Sequence, residues 1–82
     1  MKLIITKPAL KDLAKLDKTT QKQIGLVLDK YITGGQVDIL KLSGKYLYRI
    51  RSGDYRIIIE QAAENSIIVY ALRVLNRREA YR

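Results

Sequence analysis

A small α+β fold is what this sequence predicts, on three observations. Apolar residues recur at helical spacing between residues 10 and 32, whereas side chains alternate with period two between residues 46 and 60. A last apolar run, residues 66–75, is rich in β-branched residues. The expected architecture is a small antiparallel β-sheet, an N-terminal strand plus a three-stranded meander, packed against an N-terminal helix pair. At 82 residues there is room for one domain spanning residues 1–82, burying about 60–65% of its unfolded surface.

Residues 2–6 read as a short β-branched strand, and Thr6 is placed to cap a helix with Pro8 in its first turn. Leu10, Leu13, Ala14 and Leu16 give that helix its apolar side. Thr20 with Gln23 three residues on suggests a capping box for a second helix, with Ile24, Val27, Leu28, Tyr31 and Ile32 as its stripe. Gly34-Gly35 ends it. Two such helices joined by about three or four residues form an antiparallel pair, and neither buries its stripe alone.

Residues 36–43 offer only Ile39, Leu40 and Leu42, too few to choose between strand and loop, and read as a connection. A hairpin follows. In its first strand Tyr46, Tyr48 and Ile50 point one way and Leu47, Arg49 and Arg51 the other. Ser52-Gly53-Asp54 makes the turn. In the second strand Tyr55, Ile57 and Ile59 oppose Arg56, Ile58 and Glu60. After a turn around residues 63–65, the run at 66–75 is apolar on both faces, as an interior strand is. The polar end contains Asn76, Arg77, Arg78 and Tyr81.

Charge narrows the partner. Sixteen Lys and Arg against eight Asp and Glu give a net charge of +8. All seven basic residues before residue 41 are lysines, and all seven arginines lie from Arg49 onward. Clustered arginine suits phosphate because its planar fork donates bidentately, so a polyanion or an acidic protein is the expected partner. With no Cys and no His, disulfides, thiolate nucleophiles and imidazole bases are absent. Asp12, Asp17 and Asp29 sit among lysines as on solvated helix faces, and Asp54 belongs to a turn. We therefore expect no metal and no cofactor. No apolar run reaches membrane-span length and no secretory signal opens the chain, so the expectation is a cytoplasmic protein without membrane contact.

Two groups of residues are site candidates. Arg49, Arg51 and Arg56 share one face of the hairpin, with Lys45 just before it. Like charges placed together repel unless an anion neutralises them, although Arg51 reads equally well as a solvated outer-face charge. Arg77, Arg78 and Tyr81 form the second group. It also reads as a frayed basic tail, but Tyr81 offers an aromatic face for a nucleobase and a phenol that can exchange a proton.

These same residues make the chain resemble the RelE/ParE toxin superfamily of toxin–antitoxin pairs. The likeness runs nearly end to end. It includes Leu42-Ser43-Gly44 leading into Tyr46-Leu47-Tyr48-Arg49-Ile50-Arg51, then Gly53-Asp54-Tyr55-Arg56, and finally Asn76-Arg77-Arg78-Glu79-Ala80-Tyr81. RelE-type members cut messenger RNA on the ribosome, and ParE-type members poison DNA gyrase. Arg56, Arg77 and Tyr81 resemble the RelE side. The resemblance implies a RelE-like fold and a metal-independent endoribonuclease in which the 2′-hydroxyl attacks the adjacent phosphate. It assigns Arg56 to phosphate stabilisation and Arg77 to charge stabilisation or leaving-group protonation. Tyr81 is assigned to stacking and proton transfer. Arg49 joins this catalytic set, with Arg51, Lys45 and Arg78 holding RNA phosphates. The implied partners are the ribosome, mRNA and a cognate acidic antitoxin.

Leu47 and Arg49 stand where the family often has lysine, and Asn76 where it often has histidine or lysine. Guanidinium is a poor base at neutral pH. The general base is thus unassigned, with Tyr81 a candidate if neighbouring arginines lower its pKa. A ParE-like gyrase inhibitor and a non-catalytic RNA-binding module are the alternatives.

Overall fold

The computed structural model describes residues 1–42, 46–61 and 67–80. In chain order these form β1 (Lys2–Ile5), α1 (Lys7–Ala14), α2 (Lys18–Ile32), β2 (Ile39–Lys41), β3 (Leu47–Ser52), β4 (Tyr55–Gln61), β5 (Ile68–Asn76) and a short α3 (Arg77–Ala80). All five strands belong to one sheet, ordered β1-β5-β4-β3-β2. The expected α+β fold with its antiparallel meander β3-β4-β5 is present. In strand pairing, two details differ from the sequence reading. β1 runs parallel to β5, with Leu3 beside Val69 and Ile5 beside Ala71, so the sheet is mixed. The segment read as a connection supplies β2, antiparallel to β3. Three residues carry too little periodicity to announce a strand, and β2 exists because the outer edge of β3 gives it a partner.

Helix caps follow local chemistry. Thr6 has extended backbone, and its hydroxyl accepts the Ala9 amide at 3.4 Å. The second helix starts earlier than the Thr20/Gln23 reading, because Asp17 is the cap and accepts the Thr20 amide at 2.7 Å. A carboxylate there also meets the positive end of the helix dipole. At the other end the Gly34 amide bonds to Tyr31 O and the Gly35 amide to Lys30 O. That Schellman closure requires the left-handed φ of +87° that Gly34 adopts.

The side chains between helix and sheet form one apolar cluster. Ile24 and Leu28 from α2 meet Ile50, Ile57, Ile59, Val69, Ala71 and Val74. Val27, Tyr31 and Ile32 pack around them. Of the expected α1 stripe, Leu13 and Leu16 pack on the core, but Leu10 is 52% exposed. Burial of its phenol in this setting raises the Tyr31 pKa above its ordinary value, with Tyr48 adding to the effect. Register in β5 slips by one residue: Ile58 faces Arg73 while Ile59 faces Ala71. Leu72 is thus the extra residue of a bulge, which turns Ala71 and Val74 to the same core side.

β1 ends beside Ala71 while β5 continues to Asn76, so part of the β5 edge would lie unpaired. α1 fills the gap with side chains. The Thr6 hydroxyl lies 3.0 Å from Ala71 O and 3.1 Å from Leu72 O, and Asp12 Oδ2 accepts the Val74 amide at 2.9 Å. Ala71 O, Leu72 O and the Val74 amide thus gain partners on this edge without a sixth strand.

Candidate active site

The hairpin places its charges by register. Ser52 pairs with Tyr55, Arg51 with Arg56, and Arg49 with Ile58. Only Gly53 and Asp54 lie between the paired ends, and Gly53 has φ +58°. A positive φ at the first of two loop positions, occupied by glycine, suits a type II′ turn. Directly opposed side chains share a face, so Arg49, Arg51 and Arg56 project from one side of the sheet while Ile50 and Ile57 enter the core on the other.

The three arginines are not equivalent. Arg51 is exposed and Arg49 half-buried with its Nε enclosed. Arg56 is only 5% exposed. Its Nη1 donates to Gly53 O and to Tyr55 O, both at 3.1 Å, so the guanidinium folds back onto the turn that precedes it. A cation this buried is retained because hydrogen bonds replace its water.

The C-terminal end of β5 closes on the same turn. Asn76 pairs with Tyr55, and the Arg77 amide donates to Asp54 O at 2.7 Å. Asn76 Oδ1 accepts the Arg78 amide at 3.2 Å, which starts α3. Arg77 and Arg78 are both exposed. The structure therefore brings Arg51, Arg56 and Arg77 to one end of the sheet, with Arg49 two residues further along β3. Lys45 and Tyr81 lie outside the described residues. Tyr46, read from sequence as part of the first hairpin strand, precedes β3 instead and takes a left-handed φ of +53°. Its carbonyl accepts the Gln61 amide at 3.0 Å, which holds a conformation unfavourable for a bulky residue.

One polar constellation was missed. Asp12, read as a solvated helix charge, is 13% exposed and receives Arg73 through Nε at 2.8 Å and Nη2 at 3.1 Å. The hydrogen bond from Arg73 holds its carboxyl below the usual range, burial opposes this, and the Val74 amide adds to the lowering. The partners are 61 residues apart, and no local spacing links them. Arg73 consequently belongs to the α1–β5 junction. Among the described residues, no three carboxylates are grouped to hold a metal ion.

Comparisons with known proteins agree on the kind of molecule. A family model described as the ParE toxin of the type II toxin–antitoxin system parDE matches residues 3–81. Toxin RelE3 of Methanocaldococcus jannaschii is 33% identical over 87 aligned positions, covering 99% of this chain and 96% of the relative. Among solved structures, the RelB-RelE antitoxin–toxin complex from Methanococcus jannaschii matches with TM-score 0.75 and 31% identity, covering 95% of this chain and 94% of the other. The isolated E. coli RelE toxin matches with TM-score 0.72 and 26% identity, covering 96% and 88%. A match across nearly the whole chain in family, sequence and fold places this protein: it belongs to the RelE/ParE superfamily of toxin–antitoxin toxins.

Proposed function

We propose that the chain is a RelE-type toxin that cleaves messenger RNA on the ribosome. The observation that carries this reading is the direct pairing of Arg51 with Arg56 across the hairpin, with Arg77 tied to the same turn. A pair of like charges opposed on a sheet costs stability, and a phosphate between strands of guanidinium groups repays that cost.

The reaction has the 2′-hydroxyl attack the adjacent phosphorus, breaking the bond to the 5′-oxygen of the next nucleotide. The products are a 2′,3′-cyclic phosphate and a 5′-hydroxyl end. Its phosphorane carries two negative charges, so preorganised cations contribute most. Arg51 and Arg77, both exposed, can close on the phosphate. Arg49 extends the positive face along β3. Arg56 supplies a fixed charge beneath it, where the low dielectric strengthens its field. Tyr81 is the candidate for proton transfer and stacking, with Lys45 and Arg78 holding flanking phosphates. Guanidinium supplies charge without being a base, so positioning of the RNA by the ribosome provides a large share of the rate.

The +8 charge supports an acidic antitoxin as partner, in keeping with the solved relatives that are antitoxin–toxin complexes. ParE-like inhibition of gyrase is the second reading, favoured by the ParE family match and by Leu47 and Asn76 where RelE-type members often have basic residues. Pulse labelling after induction separates the two. Protein synthesis stopping first supports the ribonuclease; DNA synthesis stopping first, with translation intact, would reject it.

A further inference from the structure

We infer that Arg56 is a positioning residue, which sets the place of Arg77 by bracing the β3–β4 turn from behind. This rests on the ribonuclease reading above, in which Arg77 meets the phosphate. Two sets of bonds carry it. Arg56 Nη1 holds Gly53 O and Tyr55 O, the carbonyls on either side of Asp54. The carbonyl between them, Asp54 O, holds the Arg77 amide at 2.7 Å. Thus the carbonyls of three consecutive residues, 53, 54 and 55, are engaged alternately by the buried guanidinium and by the backbone of the segment that carries Arg77.

Burial supports the same division of labour. Arg56 is 5% exposed and its Nε is enclosed, whereas Arg77 is exposed. A phosphate arriving from solvent meets Arg77 and Arg51 before it meets Arg56. The turn itself is a small target to hold: Gly53 has open space around its Cα and a left-handed φ, so without a brace it has more conformations available than any other residue type would. Donation from one charged group to two carbonyls removes that freedom. The Arg77 amide then has its acceptor in a fixed place before any RNA binds, as preorganised catalysis requires.

Backbone hydrogen exchange in the free protein tests this without reference to activity. Arg56→Met keeps an unbranched apolar stem for the buried site and removes the donors. The expected result is Arg77 amide exchange faster by roughly tenfold, with amides of the β4–β5 ladder such as Ile57 keeping their protection. RNA cleavage by the same variant should fall mainly in kcat. An Arg77 amide as protected in Arg56→Met as in the wild type would overturn the inference. Should the variant not fold, the wild-type chain still decides. Slowly exchanging Nη1 protons on Arg56 are expected, and protons that exchange at the rate of Arg51 overturn the brace. Failure of the wild type to cleave RNA counts against the ribonuclease reading and leaves the exchange result standing.

Discussion

Arg51 and Arg56 face each other directly across the β3–β4 hairpin, one exposed and the other 5% exposed. Opposed like charges are destabilising by a few tenths of a kcal/mol to about 1 kcal/mol. In the proposed ribonuclease, that lost stability is recovered when an RNA phosphate binds between them.

Arg51→Thr should therefore stabilise the free protein. Relief of about 0.5 kcal/mol raises Tm by roughly 2–4 °C in a domain this size, while RNA cleavage falls. Thermal melts with and without inorganic phosphate check it, since the anion should raise Tm more in the wild type than in the variant.

Loss of the Asp12 carboxylate should open the α1–β5 junction. Asp12→Asn weakens the bonds to Arg73 and the Val74 amide, at a cost of about 1–2 kcal/mol given that Arg73 is half-exposed. The pH dependence has a definite sign. The folded-state pKa lies below the ordinary 3.8, so the stabilisation is complete above that value and lost as pH falls through the folded one. Urea melts of wild type and variant should converge as pH falls below the ordinary carboxylate range.

Gly53→Ala tests the turn alone. An added Cβ meets nothing within 4 Å, so the cost comes from the φ of +58° and should be about 1–2 kcal/mol. Equilibrium denaturation gives that number. Because the turn carries the acceptor for Arg77, cleavage should fall by more than the stability change accounts for.

In the core, Ile57→Ala should cost about 2–5 kcal/mol, against a total of roughly 4–12 kcal/mol for 82 residues. Ile57 is fully buried between β3 and β5 partners. Ile57→Val should lose about 1 kcal/mol and keep the fold. Circular dichroism at 37 °C distinguishes them.

Elements with strong periodicity are legible in the amino-acid sequence. Thr6 as a cap, the Ile24/Leu28 stripe and the two hairpin faces all follow from local spacing. What escapes is set by distant partners. β2 depends on the edge of β3, the parallel pairing of β1 depends on β5, and the Asp12–Arg73 pair joins residues 61 apart. The second helix cap escapes as well: Thr20 with Gln23 reads as a capping box, but the helix already begins at Lys18 and Asp17, with extended backbone, is its cap. At the site, the shared face of Arg49, Arg51 and Arg56 follows from period two. Their unequal exposure does not, since alternation assigns a side and says nothing of depth. Lys45 and Tyr81 rest on sequence and resemblance alone.

The central claim is most directly tested by mapping 5′ ends on a message during translation with purified components, comparing wild type with Arg77→Ala. The expected result is cleavage only when ribosomes occupy the message, leaving 5′-hydroxyl ends, with the Arg77→Ala rate reduced on the order of 10²–10³-fold. Intact message in the presence of translating ribosomes, from a preparation that blocks gyrase supercoiling, would contradict it.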